Sequence, residues 1–175
     1  MDESLRAVPL AELEGADGPG LDLFRDSCGP GLLVPAAHRG LGATALEALR
    51  VQRALGARAP WLAATSALHH LSTAVLLAQV TADRGGLEWM LVEGVAADNR
   101  LVAFGFAEGR PDAGMLAPVT TATMEPEGLR IGGVTRTCGL AGTMDLLAIS
   151  VMTPRTDGKP GENRRWRWCR RRARA

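Results

Sequence analysis

Leu32-Leu-Val-Pro-Ala-Ala-His-Arg-Gly-Leu-Gly-Ala-Thr-Ala-Leu-Glu47 is the stretch on which the reading of the fold turns. A short apolar run stops at Pro35, Gly40-Leu-Gly42 supplies a turn, and a helical pattern begins directly beyond it. Thr44 stands three residues before Glu47, the spacing at which a hydroxyl and a carboxylate satisfy each other's backbone N–H groups at a helix start. The helix is expected to run to Gly56, with Ala45, Ala48, Leu49 and Leu55 on one broad apolar face and Glu47 and Arg50 opposite.

Upstream, residues 1 to 30 are rich in Gly, Pro and acids and read as a short helix or an irregular lead around Leu21-Asp-Leu-Phe24. Downstream, Pro60 separates the first helix from Trp61 to Val80, apolar nearly all round, which is the signature of a central helix. Ala59 to Ala82 contain no Asp, Glu, Lys or Arg, and a membrane span needs about 20 apolar residues. The Ala, Ser and Thr content, with His69, His70 and Gln79, suits burial in protein rather than in lipid, so no membrane span is expected. Adjacent helical residues point about 100° apart, so His69 and His70 are read as structural histidines rather than as two ligands of one site. A third helix, Gly86 to Val95, ends near Asp98-Asn99. Beyond it Leu101 to Ala107, Met115 to Met124, Gly128 to Thr137 and Leu146 to Met152 are short strand-like runs divided by Gly, Pro and Asp. The fold class is therefore α+β, all-helical over 1–100 and stranded over 101–161.

The chain has 175 residues, 22% charged and 46% hydrophobic, with mean hydropathy near zero, as one ordinary domain or two small ones would. Collagen, disorder and a disulfide-framed mini-protein are excluded. The net charge of +1 hides a split. Residues 1–161 carry 13 cations and 18 anions, whereas 162–175 carry seven Arg and one Glu. Three scattered cysteines without Cys-x-x-Cys spacing indicate neither a zinc site nor a disulfide framework, and suit a reducing cytoplasm. Met1-Asp-Glu-Ser lacks the features of a signal peptide. No phosphate loop, Gly-x-Ser-x-Gly or His-Glu-x-x-His motif is present. Cys138 has only Arg136 nearby in sequence to lower its pKa and reads as a structural thiol.

The ordered combination of the Leu32–Glu47 stretch, the Val51-Gln-Arg-Ala-Leu55 helix and the apolar helix with His69-His70 resembles the N-terminal helical domain of acyl-CoA dehydrogenases. In that family a Val-Pro-x-x-x-Gly-Gly-x-Gly turn introduces a helix, and here Arg39-Gly40 replaces the Gly pair. The resemblance continues into the middle domain, a small β-barrel: Ala103 to Gly109 is similar to its Ala-x-Thr-Glu-Pro strand, and Gly128-Leu-Arg-Ile-Gly-Gly-Val134 to its Gly-Gly-x-x-Leu-Asn-Gly hairpin. It covers residues 20 to 160 and implies a helical domain, part of a β-barrel, and a missing C-terminal helical domain. The implied parent reaction is FAD-dependent α,β-dehydrogenation of an acyl-CoA, an oxidoreductase of fatty acid metabolism, homo-oligomeric in the full-length parent.

By resemblance the FAD-binding positions are Phe106, Ala107, Glu108, Thr137, Cys138 and Gly139. Several depart from the pattern. Ala107 stands where the family has a flavin-contacting Thr, Gly109 replaces its Pro, and Thr135, Thr137 and Gly139 occupy the Lys-x-Trp-Ile-Thr run. The family's catalytic carboxylate lies in the missing domain, so no catalytic residue and no metal ligand is assigned, and the chain is expected to be inactive alone.

Arg164-Arg-Trp-Arg-Trp-Cys-Arg-Arg-Arg-Ala-Arg174 offers phosphate contacts and stacking, so a small nucleic-acid-binding or scaffold protein is the rival reading. A shift of frame explains the same residues. Read from the third base of Glu162 with CGN arginine codons, the tail becomes in essence Glu-Pro-Ala-Val-Ala-Leu-Val-Pro, a plausible barrel strand after Pro154-Arg-Thr-Asp-Gly158. Residues 162–175 are therefore read as an out-of-frame tail, and nucleic acid is not the expected partner.

Overall fold

A computed structural model describes residues 2–14, 18–82, 86–106, 119–136, 138–154 and 162–170. The chain forms two compact units, Met1–Val102 and Ala103–Ala175, helical and stranded respectively.

In the first unit three short helices, α1 (Asp2–Arg6), α2 (Leu10–Leu13) and α3 (Gly20–Asp26), lead to 3-10 turns at Gly29–Gly31 and Ala36–His38. Helices α4 (Ala45–Gly56), α5 (Pro60–Ala82) and α6 (Gly86–Ala97) follow. The expected reciprocal cap of α4 is present: Glu47 N–H donates to the Thr44 hydroxyl at 3.3 Å, and the Glu47 carboxylate accepts from the Thr44 N–H at 2.8 Å and its O–H at 2.7 Å. Those donations hold the Glu47 carboxyl below its ordinary pKa. At α5 the start is capped from a distance, the Glu14 carboxylate accepting from Trp61 N–H at 3.0 and 3.1 Å.

The core of this unit gathers Leu5, Leu13, Phe24, Val34, Leu55, Leu62, Leu76, Val80 and Val92. On α4 the buried face is narrower than periodicity suggests. Ala48 and Leu55 are buried, but Ala45 is exposed and Leu49 is 66% exposed. The helix is turned so that Gln52 meets α5, and that rotation leaves Leu49 at the rim. Gly29 is forced to be glycine, because a Cβ there would lie 2.3 Å from the Phe24 ring.

The second unit is a mixed sheet of β1 (Val102–Gly105), β2 (Thr121–Glu125), β3 (Gly128–Gly132), β4 (Leu146–Pro154) and β5 (Glu162–Arg170). Both β1 and β2 pair with β4, and β3 forms a hairpin with β2 through Pro126-Glu127. The contact of β2 with β4 is parallel, at Thr121 and Met152. A small core of Ala122, Ile149 and Val151 is flanked by Leu129, Ile131 and Leu147. β5 runs antiparallel along the whole of β4, from Pro154 opposite Glu162 to Leu146 opposite Arg170. Residues 162–170 of the stretch read from sequence as an out-of-frame tail are thus in strand conformation, which the period-two alternation Arg165-Trp-Arg-Trp168 permits.

Candidate functional site

His69 and His70 are fully committed to the first unit. Val102 N–H donates to His69 Nδ1 at 2.9 Å, which fixes Nε2 as the protonated nitrogen donating to the Pro30 carbonyl at 3.0 Å. His70 Nε2 donates in the same way to the Gly29 carbonyl at 3.1 Å, and its Nδ1 accepts from the Gln52 amide at 2.8 Å. Gln52 in turn shares hydrogen bonds with the Ser66 hydroxyl. Two neighbouring imidazoles on α5 therefore grip successive carbonyls of one tight turn, with Phe24 edge-on to both rings. Burial pushes the His69 pKa down to about 3, with His70 adding to the effect, and burial lowers that of His70 as well. Both rings are neutral anchors with no free nitrogen, as the sequence reading expected.

The resemblance-derived positions lie in the second unit. Phe106 follows β1 and is 3% exposed, its ring edge-on to Phe104 at 4.7 Å between centroids. Gly105 passes so close to Leu147 and Ala148 that a Cβ would come within 2.8 Å of both. Phe106 directly follows β1, and the turn from Cys138 to Thr143 precedes β4, the strand with which β1 pairs. In that turn Cys138 is half-buried, Gly139 is exposed, and a Cβ at Gly142 would meet nothing within 4 Å. Ala107, Glu108 and Thr137 lie outside the described residues. Among the described residues no group of three His, Cys, Asp or Glu could hold a metal ion.

One cluster escaped the sequence reading. His38 stacks on Trp89 at 3.8 Å between centroids and 16° between planes, and its Nδ1 lies 3.0 Å from a Glu93 carboxylate oxygen. Trp89 and Glu93 are one helical turn apart on α6, a local signal that they share a face. Nothing in the sequence places them beside residue 38.

Solved structures that match this chain have the acyl-CoA dehydrogenase fold, and the chain shares that fold. Methanesulfinate monooxygenase MsuC from Pseudomonas fluorescens matches with TM-score 0.76 and 20% identity over 97% of this chain and 41% of its own. FMN-bound TdsC from Paenibacillus sp. A11-2 matches with TM-score 0.71 and 18% identity over 97% of this chain and 40% of its own. Butyryl-CoA dehydrogenase from Megasphaera elsdenii matches with TM-score 0.62 and 19% identity over 83% of this chain and 39% of its own. In sequence the chain is 40% identical over 161 residues to the isobutylamine N-hydroxylase of Streptomyces viridifaciens. That match covers 90% of this chain and 42% of the relative, so the chain spans well under half of the relative's length. No family model matches the sequence.

Proposed function

We propose that these 175 residues correspond to about two-fifths of a flavin-dependent monooxygenase that N-hydroxylates a small primary amine. The observation that carries this reading is the 40% identity to isobutylamine N-hydroxylase along 90% of the chain. The departures at Ala107 and Gly109 from the acyl-CoA dehydrogenase pattern point the same way. Acyl-CoA dehydrogenation is the second reading, supported by the motif resemblance and by the fold shared with butyryl-CoA dehydrogenase.

The described residues fit one wall of a flavin site. Gly139 is exposed and a Cβ at Gly142 would meet nothing within 4 Å, so a planar ring can approach the backbone there, and the Phe104–Phe106 pair stiffens the end of β1. When bound, a reduced flavin would deliver two electrons to dioxygen, one oxygen atom going to the amine nitrogen and the other to water. This chain's residues would position the ring and exclude water. No general base is assigned to them, and by this reading the opposite wall and the substrate-binding groups belong to the remaining length of the relatives. The proposed setting is cytoplasmic, in keeping with the free thiols of Cys28 and Cys138.

We read residues 162–175 as out of frame for a reason that the register strengthens. β4 is buried on both faces through Ala148, Ile149, Ser150 and Val151, and β5 pairs with it along its whole length. The register sets Arg165 opposite Val151 and Arg167 opposite Ile149, where the shifted frame offers small and aliphatic residues.

The test is to sequence the gene through codon 161 and express both the 175-residue chain and the chain continued in the shifted frame. The continued chain should bind flavin and form isobutylhydroxylamine from isobutylamine in an oxygen-dependent reaction. Turnover of a saturated acyl-CoA with an artificial electron acceptor, and none with amines, would overturn the hydroxylase reading in favour of the dehydrogenase.

A further inference from the structure

Two helix ends meet in the first unit and leave a cavity between them. Arg58, two residues beyond α4, donates from its guanidinium to the Arg6 carbonyl at the end of α1, at 3.0 Å. Beside this contact is an open cavity of about 480 Å³. Among the described residues it is lined by Arg6, Ala54, Ala57 and Arg58, two arginines and two alanines with no acid.

A cation at a helix C-terminus often does no more than satisfy the last carbonyls, and Arg58 does this for α1. That bond uses one of the five donors of a guanidinium, and Arg58 has no other partner among the described residues. The bond also fixes the group beside the cavity, so its planar fork is oriented before a ligand arrives. The positive charge continues along α4, where Arg50, Arg53, Ala54 and Ala57 are spaced three and four apart and share a face. Glu47, the acid one turn before Arg50, is engaged in the Thr44 cap. Residues 1–102 carry eight arginines against twelve acids, so this is a cationic recess on a unit of net negative charge.

We propose that the cavity binds a phosphate monoester, with the phosphate held by Arg6 and Arg58 and the organic group over Ala54 and Ala57. Two cations are matched by a group that concentrates about −1.5 to −2 charges and three acceptor oxygens in one place, whereas a monocarboxylate matches one of them. The volume falls among small-molecule sites, about 300–1,000 Å³. A bare phosphate ion would leave most of it empty, and the alanine floor offers apolar surface to the rest of an ester. The site draws on none of the residues assigned to the flavin.

The test adds phenyl phosphate, inorganic phosphate or succinate to the full 175-residue chain at fixed low ionic strength, followed by calorimetry. Phenyl phosphate should bind once per chain and about tenfold more tightly than either other probe. Arg6→Gln should weaken it about tenfold while keeping the Arg58 bond, which ends on the main chain of residue 6. Arg58→Lys, which keeps the charge and loses the fork, should weaken it less than Arg58→Gln. Ala54→Glu, an exposed helical position, should abolish binding with unchanged helical circular dichroism. Arg130→Gln, in the second unit, should bind as the parent does. No binding, equal affinity for the three probes, or binding that survives both Arg6→Gln and Ala54→Glu would each overturn the proposal. So would binding lost in the chain continued in the shifted frame, since the added length would then fill the cavity.

Discussion

Acid should weaken the helical unit through His69 more than through any surface group. In the folded chain this imidazole titrates at about 3, whereas in the unfolded chain it returns to 6.5. The unfolded state therefore takes up a proton below pH 6.5 that the folded state refuses, and stability falls as pH falls from 6.5 towards 3. One unit of pH within that window is worth about 1.4 kcal/mol, so between pH 7.5 and pH 5.5 His69 alone should cost about 1.4 kcal/mol. His70, also lowered by burial, adds a loss of the same sign. The measurement is urea unfolding followed by circular dichroism at the two pH values, a range above most carboxylate titrations. His69→Gln removes the titration but also disturbs the Pro30 and Val102 partners. Its stability at pH 7.5 should drop by about 1–3 kcal/mol, the cost of a buried polar group left unpaired. The diagnostic is the difference between the two pH values, which should shrink by about 1.4 kcal/mol in the variant. Equal pH dependence in both proteins would show that His69 is not held neutral by burial and would refute the argument.

Gly29→Ala should destabilise the helical unit by about 1–3 kcal/mol, as overpacking does, because its Cβ would lie 2.3 Å from the Phe24 ring and 2.7 Å from a backbone oxygen; an unchanged melting temperature would contradict the packing described. Arg39→Gly should act in the opposite direction, since Arg39 sits at φ 68°. Relief of a left-handed residue's cost of about 1–2 kcal/mol, less the entropy that glycine loses, leaves a gain of about 0.5–1 kcal/mol, and a loss on chemical denaturation would count against it. Replacing residues 162–169 by Glu-Pro-Ala-Val-Ala-Leu-Val-Pro should slow hydrogen exchange of the β4 amides by about tenfold, on the order of 1.4 kcal/mol. Faster exchange would indicate that the Arg-rich strand is the better partner for β4.

What could be read from the sequence was what neighbouring residues decide between themselves. The Thr44–Glu47 cap, the stop before Pro60 and the end of α6 at Asp98-Asn99 all emerge as expected, because each depends on groups within a turn of one another. Periodicity also identified which residues share a face of α4. It did not say how much of that face would be covered, and Leu49 proved exposed because the rotation of α4 is set by Gln52, Ser66 and His70 on two helices. The same limit hid the His38–Trp89–Glu93 cluster, whose members join across more than fifty residues.

The turn from Val34 to Gly42 shows how local and distant constraints meet at the motif that carried the resemblance. A Cβ at Gly40 would fall 2.0 Å from the Val34 carbonyl oxygen, and Gly42 has φ 65°, so both glycines are required by the backbone itself. Position 39 is also left-handed, yet this chain places arginine there, keeping the turn while accepting strain that glycine would avoid. The strain is tolerated because the turn is held from both sides, by the hydrogen bonds of Leu41, Gly42 and Ala43 back to Gly31, Val34 and Leu32, and by His38 against α6. A motif read as a family signature is thus a statement about backbone geometry. It can survive the loss of one glycine when the surrounding contacts over-determine the turn, and for that reason it identifies the fold more firmly than it identifies the reaction.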